Sequence, residues 1–136
     1  MQELIKLTKN LHILYVEDEE SSRVQLSEIF ELLFESVNTA FDGEDAYAKY
    51  QEKHYDIIIT DINMPRMNGL ELIKKIKLQN SLQNFIIISA HNNYDYLNQA
   101  KTDGVDNFII KPLKMQQLFS VLTKVSQDIH RLKDRI

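Results

Sequence analysis

The sequence predicts an α/β fold in which a five-stranded parallel sheet is covered by helices on both faces. Short apolar runs alternate with amphipathic segments along the whole chain, as in proteins built from repeated strand–helix units. Four of the five runs are continuously apolar, which is typical of strands that are buried on both faces. The predicted strands are Ile13 to Val16, Val37 to Ala40, Asp56 to Thr60, Phe85 to Ser89 and Asn107 to Ile110.

Helical periodicity fills the segments between these strands. In the first segment, apolar residues recur at spacings of three and four from Leu26 to Phe34, and Ser21 or Ser22 is expected to cap the helix. The crossovers are expected to be right-handed, but periodicity leaves the order of the strands open. The other helices are predicted to begin after Gly43, to begin at Asn68-Gly69, to span Tyr94 to Thr102 before Gly104, and to run from Pro112 to the chain end.

Length and composition favour one globular domain. The chain has 136 residues and a net charge of −4, and its basic residues are spread out, so nucleic-acid binding is not expected. The absence of cysteine excludes disulfides and thiolate metal sites, and the histidines lack zinc-like spacing. The apolar runs are far shorter than the ~20 residues of a membrane span, and the N-terminus lacks a signal-peptide core. We therefore expect a cytoplasmic protein without membrane association.

Charged residues follow three of the predicted strands. Glu17 and Asp18 follow the first strand, Asp61 follows the third, and Lys111 follows the fifth. Carboxylates beside an apolar core are costly unless a cation or hydrogen bonds compensate them. Because open parallel sheets gather their ligands at the carboxyl ends of the strands, we expect one shared site. The two glutamates directly after Asp18 are interpreted as solvated loop charges.

The residue types at this edge suit phosphoryl transfer. Asp61 can attack phosphorus to form an acyl phosphate, a reaction that depends on positioning and charge neutralisation. Glu17, Asp18 and Asp61 supply the carboxylate oxygens that Mg²⁺ prefers. Lys111 can hold one phosphoryl oxygen, and the Ser89 hydroxyl can donate a hydrogen bond to another.

Four motifs together resemble the receiver domain of two-component response regulators. They occur in the same order, each at the end of a predicted strand, and the resemblance covers about residues 11 to 127. It implies a doubly wound (βα)5 fold with the flavodoxin-like strand order 2-1-3-4-5. The chain then divides into an N-terminal extension (1–10), a receiver domain (11–127) and a helical extension of the last helix (128–136). The motifs are Val16-Glu17-Asp18-Glu19, Thr60-Asp61-Ile62-Asn63-Met64-Pro65, Ser89-Ala90 and Lys111-Pro112.

The resemblance implies a role for each matching site residue. Asp61 accepts a phosphoryl group from a sensor histidine kinase or a phosphotransfer protein in a Mg²⁺-dependent reaction. Asp18 and Asp61 bind Mg²⁺ directly. The backbone carbonyl of Asn63 is the third protein ligand, and Glu17 acts through a water molecule. Lys111 contacts the phosphoryl group.

The resemblance also implies which residues transmit and time the signal. The Ser89 hydroxyl moves towards the phosphoryl group, and Phe108 moves inward to fill the vacated space. Phe108 lacks the hydroxyl of the tyrosine often found at this position, so an outward hydrogen bond is lost. Asn63 and His91 stand at the two positions that tune hydrolysis of the acyl phosphate. The Lys111–Pro112 peptide bond is expected to be cis.

The last predicted helix carries a heptad pattern that continues beyond the receiver domain. Packing against the sheet explains its first half, but the final turns would expose apolar side chains. They are therefore expected to pair with a second copy or to lead into an output domain. The face of the fourth helix, fifth strand and fifth helix, with Tyr94 and Tyr96, is a second candidate for dimerisation or partner binding. The heptad residues are Met115, Leu118, Leu122, Val125, Ile129, Leu132 and Ile136.

Three other functions share parts of this pattern. A Mg²⁺-dependent aspartyl-phosphate phosphatase needs a second aspartate two residues after the nucleophile, where this chain has Asn63. A flavin-binding protein needs a hydroxyl-rich phosphate loop, where this chain has an acidic run from Glu17 to Glu20. A degenerate receiver that serves only as an interaction module is the third alternative, and the intact set of site residues argues against it. We therefore expect a signalling phosphoacceptor that promotes only its own phosphorylation and dephosphorylation.

Overall fold

The computed structural model describes residues 1–90 and 93–134. Its strands are β1 (His12–Val16), β2 (Ser36–Ala40), β3 (Ile57–Asp61), β4 (Asn84–Ser89) and β5 (Phe108–Ile110). They form one parallel sheet in the order β2-β1-β3-β4-β5, which confirms the predicted fold class and strand order. Each strand boundary lies within one residue of its predicted position.

The described residues also form six helices. Five correspond to the predicted helices, whereas periodicity gave no indication of the first. None of them is long and apolar enough to cross a membrane, as far as the described part of the chain extends. The helices are α1 (Gln2–Thr8), α2 (Glu20–Leu33), α3 (Gly43–Glu52), α4 (Gly69–Gln79), α5 (Tyr94–Thr102) and α6 (Met115–Asp134).

The register of the sheet brings the ends of the strands to one edge. Val16 of β1 is aligned with Thr60 of β3, so Glu17 and Asp61 are the next residues on adjacent strands. The last residue of β4 is likewise aligned with the last residue of β5. The charged residues that follow these strands are therefore neighbours in space, although they lie far apart in sequence.

Alternate residues of the central strands pack into two separate apolar layers. In β1, Ile13 and Tyr15 contribute to the layer shared with α1, α2 and α6. Leu14 and Val16 contribute to the layer shared with α3, α4 and α5. Because both faces are covered, β1 and β3 are apolar at successive positions rather than at every second one.

β2 lies at one edge of the sheet and is mostly half-buried. Among the described strands it pairs only with β1. Two lysines of the following helical segment lie along it. Lys49 Nζ donates a hydrogen bond to the carbonyl oxygen of Thr39. Lys53 Nζ lies 3.3 Å from Ser36 Oγ and 3.4 Å from Asn38 Oδ1. The polar edge of β2 is thus covered by positive charge.

The N-terminus of α2 is capped by Glu19, which corrects the expectation that Ser21 or Ser22 is the cap. The two oxygens of the Glu19 carboxylate accept hydrogen bonds from the backbone N–H groups of Ser21 and Ser22, each at 3.1 Å. Both serine hydroxyls also donate to it. These hydrogen bonds lower the pKa of Glu19 to about 2. A carboxylate expected to be a solvated loop charge thus satisfies the free N–H groups of the first turn, where the helix dipole also favours it.

Ile129, in the C-terminal half of α6, is covered by α1, which corrects the expectation that this residue is exposed. Ile129 is only 6% exposed and lies in the same apolar layer as Leu4 of α1. His130 Nε2 lies 2.7 Å from the carbonyl oxygen of Leu7. The heptad repeat in α6 predicted an apolar stripe that needs a covering partner, but it could not show that the covering helix belongs to the same chain.

The other residues of the heptad pattern divide between buried and exposed positions. Leu118, Leu122 and Val125 are buried against the sheet. Leu132 is 56% exposed, and Ile136 lies outside the described residues. An exposed apolar stripe at the end of α6 therefore rests on Leu132 alone in the part of the helix that the structure describes.

Replacing Ile129 by Ala is expected to lower the free energy of unfolding by about 2–4 kcal/mol, because it leaves a cavity beneath α1. Leu132→Ala is the matched control on the same helix. Its effect is expected to stay within about 0.5 kcal/mol, since Leu132 is exposed. Urea denaturation of both variants and the wild type measures the difference. Equal losses for the two variants would contradict the covering of α6 by α1.

Candidate functional site

The fold brings Glu17, Asp18 and Asp61 into one acidic cluster at the carboxyl edge of the sheet. One carboxylate oxygen of each residue lies within 4.8 Å of the others. Asp61 ends β3, and the other two residues directly follow β1. Glu17 and Asp61 are buried, whereas Asp18 is exposed. A ligand can therefore reach the cluster from the Asp18 side.

Both carboxylate oxygens of Asp61 accept hydrogen bonds. Oδ1 accepts from the N–H of Ile62 at 2.7 Å, and Oδ2 accepts from Nζ of Lys111 at 2.8 Å. The Asp61 side chain is 11% exposed. It is therefore oriented by its neighbours but still accessible to a reactant.

Glu17 is fixed more deeply in the same cluster. Its Oε2 accepts a hydrogen bond from the N–H of Glu19 at 3.2 Å, and its Oε1 lies 3.7 Å from Lys111 Nζ. Nη1 of Arg23 donates to the backbone oxygen of Glu17 at 2.7 Å. Arg23 was not identified from the sequence. The one feature that could have indicated its role is a positive charge near the start of the helix that follows the acidic run.

The charges of the cluster change the acidity of its members. Burial raises the pKa of Glu17, and the charge of Asp61 raises it further, although the Glu19 N–H and Lys111 oppose this. Burial alone would lower the pKa of Lys111, but the hydrogen bond and charge of Asp61 and the charge of Glu17 outweigh it, so this pKa is raised. Burial, Glu17 and Asp61 also raise the pKa of Tyr15. The region therefore disfavours additional negative charge and keeps Lys111 protonated.

The donor set suits Mg²⁺. Among the described residues, the cluster holds three carboxylates, and the ammonium of Lys111 contacts two of them, Asp61 and Glu17. This leaves net negative charge for a divalent cation to neutralise. Oxygen ligands of this kind are the ones that Mg²⁺ prefers. Asn63, whose backbone carbonyl was expected to be a further ligand, is an exposed residue of the loop after β3, two positions after Asp61.

Ser89 lies fully buried at the end of β4. Its hydroxyl oxygen accepts a hydrogen bond from Nδ2 of Asn93 at 2.9 Å, and its backbone oxygen accepts one from the N–H of Lys111 at 2.7 Å. The Lys111–Pro112 peptide bond is cis. Sequence reasoning did not identify Asn93, whose signal is a polar residue at the start of the next helix.

Phe108 begins β5 and is half-buried. The ammonium of Lys101, on α5, lies 5.7 Å from the centre of its ring. Tyr94 and Tyr96, also on α5, are 60% and 42% exposed. His91, which was expected to tune the lifetime of the acyl phosphate, lies outside the described residues.

Comparisons with known proteins agree with this arrangement. The family model of the response regulator receiver domain matches residues 13–123. The response regulator ArlR of Staphylococcus aureus (strain Mu50 / ATCC 700699) is 38% identical over 111 residues, which are 79% of this chain and 49% of ArlR. The sensor protein EvgS of Escherichia coli (strain K12) is 33% identical over 126 residues, which are 93% of this chain and 10% of EvgS. This chain therefore spans about half or less of the length of these relatives.

A solved structure with the same fold also resembles this chain. A chain in the crystal structure of the CheX-CheY-BeF3-Mg²⁺ complex from Borrelia burgdorferi is 28% identical, with a TM-score of 0.81. The alignment covers 90% of this chain and 97% of that one. Since the family model covers most of the sequence and the sheet has the expected strand order, this chain belongs to the response regulator receiver domain family.

Proposed function

We propose that this chain is the phosphoacceptor receiver of a two-component phosphorelay. Asp61 takes a phosphoryl group from a phosphohistidine on a sensor histidine kinase or a phosphotransfer protein, in a Mg²⁺-dependent reaction. The observation that carries this proposal is the environment of Asp61. Lys111 Nζ contacts it at 2.8 Å, and two further carboxylates come within 4.8 Å of it. Phosphoryl transfer depends on this kind of positioning and charge neutralisation.

The proposed reaction is a displacement at phosphorus. A carboxylate oxygen of Asp61 forms the new bond to phosphorus, the bond to the donor imidazole nitrogen breaks, and that nitrogen keeps the electron pair. The Lys111 ammonium holds one phosphoryl oxygen, and the Ser89 hydroxyl donates to another. Mg²⁺, when bound, neutralises negative charge on the phosphoryl group. The residues that would hold it are Asp18, Asp61, Asn63 through its backbone carbonyl and Glu17 through a water molecule.

A donor protein can approach this site along an open groove. The groove has a volume of about 310 Å³ and includes Glu17 and Lys111 in its lining. Apolar side chains make up much of the rest, among them Leu26, Ile29 and Leu113. An apolar surface beside charged acceptor groups suits contact with a protein donor, because interfaces combine an apolar centre with a polar rim.

We propose that the signal leaves the site through Ser89 and Phe108. Ser89 Oγ accepts its hydrogen bond from Asn93, the residue that precedes α5. Movement of the hydroxyl towards the phosphoryl group would release this contact at the start of α5. Phe108 would then fill the vacated space, and the population of a second conformation would increase. The output surface is the α5–β5–α6 face, where exposed Tyr94 and Tyr96 can contact a partner or a second copy.

The proposed protein is a signalling component and not an enzyme that acts on other substrates. It promotes only its own phosphorylation and dephosphorylation, and Asn63 and His91 set the lifetime of the acyl phosphate. Asn63 also argues against a phosphatase, which needs an aspartate at that position.

A homodimer through α6 would depend on Leu132 and the residues after it, because α1 covers Ile129. The proposed compartment is the cytoplasm.

Incubation with Mg²⁺ and acetyl phosphate is expected to add one phosphoryl group to the wild type and none to Asp61→Asn, which lacks the nucleophilic carboxylate. Intact-mass spectrometry measures the adduct, and light scattering on the same samples measures dimer formation. An adduct on both proteins would place the acceptor elsewhere. No adduct on a wild type that binds Mg²⁺, with turnover excluded, would favour the degenerate interaction module.

Glu17→Gln is expected to stabilise the metal-free protein at neutral pH by about 1 kcal/mol, since residues placed for function often reduce stability. Burial raises the pKa of Glu17, so the folded chain binds this proton more tightly than the unfolded chain. The stability that protonated Glu17 contributes is present below the ordinary pKa of 4.5 and is lost as the pH rises through the folded value. The advantage of the variant should therefore disappear on acidification.

Urea denaturation in EDTA at several pH values measures this effect. The control is Glu28→Gln, which changes an exposed glutamate of α2 and should stay within about 0.5 kcal/mol of the wild type. Saturating Mg²⁺ is expected to favour the wild type, because ligand binding to the folded state stabilises it. A Glu17→Gln variant that is less stable than the wild type in EDTA at neutral pH would contradict the prediction.

A further inference from the structure

The loop between β3 and α4, residues 62–68, is closed at its base by hydrogen bonds. The N–H of Gly69 donates to the backbone oxygen of Ile62 at 2.8 Å. Asn68 and Glu71 exchange side-chain and backbone hydrogen bonds in a capping box. This loop carries Asn63, the proposed carbonyl ligand of Mg²⁺. Its two ends are thus fixed, and the position of its middle depends on other contacts.

The loop between β2 and α3, together with the first residue of α3, supplies such contacts. The N–H of Gly43 donates to the backbone oxygen of Met67 at 3.0 Å. A Cβ atom at residue 43 would lie 2.2 Å from that oxygen, so this approach requires glycine. Beside it, Nε of Arg66 donates to Oδ2 of Asp42 at 2.5 Å, and Nη2 of Arg66 contacts the same oxygen. The two loops are joined by backbone and by charge.

The ion pair joins a buried carboxylate to a strained backbone position. The Asp42 side chain is 1% exposed, and its other oxygen accepts a hydrogen bond from the N–H of Asp45 at 2.8 Å, which caps α3. Arg66 has a φ of 66°, in the left-handed region that is unfavourable for a residue other than glycine. Its guanidinium also lies 5.6 Å from the ring centre of Phe41. Such a conformation persists only when surrounding contacts fix it.

We propose that the Asp42–Arg66 ion pair positions the β3–α4 loop so that Asn63 stays beside the acidic cluster, and that it thereby sets the affinity of the site for Mg²⁺. This inference rests on the proposed function. Arg66 lies three positions after Asn63 in the same loop, so fixing one restricts the other. Asp42 and Arg66 act through Asn63 and are positioning residues. Removing groups that orient metal ligands typically weakens metal binding by about 10–100-fold.

Charge alone predicts a different outcome from positioning. Arg66→Gln removes a positive charge from the loop that follows the acidic cluster, so a purely electrostatic effect would strengthen cation binding. Asp42→Asn removes a negative charge, so the same effect would weaken binding. Positioning predicts that both variants bind more weakly, because each breaks the same contact. The sign of the Arg66→Gln effect therefore separates the two explanations.

Isothermal titration calorimetry of the unphosphorylated chain with MgCl2 measures this affinity. Both variants are expected to raise the Kd about tenfold. The matched control is Glu44→Gln, since Glu44 lies 3.8 Å from Arg66 Nε but is 62% exposed; its Kd should stay within about twofold of the wild type. In metal-free protein, the backbone N–H groups of the non-proline residues in 62–68 are expected to exchange hydrogen faster in both test variants.

Each result decides between the explanations. Tighter Mg²⁺ binding by Arg66→Gln, or unchanged binding by both variants, would overturn the positioning role. A wild type that binds no Mg²⁺ would instead overturn the proposed function. Asp42→Asn keeps a side-chain acceptor for the cap of α3, so it is expected to fold. If circular dichroism shows that Asp42→Asn does not fold, Arg66→Gln alone decides. The Arg66 side chain is largely exposed, so its replacement is expected to leave the fold intact.

Discussion

The ammonium of Lys111 is shared between Asp61 at 2.8 Å and Glu17 at 3.7 Å, where the apolar runs of β1 and β3 end. Both carboxylates are buried, and burying ionised groups is costly unless an opposite charge compensates them. Lys111 follows β5, so this compensation is possible only if the ends of β1, β3 and β5 meet at one edge. The parallel order of the sheet and the chemistry of the site therefore depend on each other.

The compensation is incomplete, and this has a functional meaning. Asp18 adds a third carboxylate to the cluster, and the pKa of Glu17 is raised by burial and by Asp61. A protein optimised for stability alone would replace one of these groups by a neutral side chain. Keeping them leaves a site whose net negative charge favours a cation. The two buried apolar layers on either face of the sheet stabilise the fold and offset the cost of burying these carboxylates.

Much of this could be predicted from sequence, because local pattern reports burial. Apolar runs located the strands to within one residue, and the expectation that Asp61 and Lys111 meet at the edge of the sheet agrees with their contact at 2.8 Å. Strand order required the family resemblance, since periodicity contains no information about neighbours.

The contacts that were not predicted join segments far apart in the chain. Leu4 of α1 lies in the same apolar layer as Ile129 of α6, and Asp42 binds Arg66, although nothing in either local pattern identifies the partner. Glu19 was missed for another reason, since a glutamate is an uncommon cap and only its hydrogen bonds reveal the role.

The lysines along β2 have a consequence for how copies of this domain meet. An uncovered sheet edge offers unpaired backbone groups to a strand from another molecule, which can lead to aggregation. Here Lys49 already donates to the carbonyl oxygen of Thr39, and Lys53 lies along the polar side chains of the same strand. A foreign strand would have to displace these ammonium groups from the edge or bury their charge beneath itself. The β2 edge therefore disfavours extension of the sheet into a second copy and leaves side-chain contacts for encounters between domains.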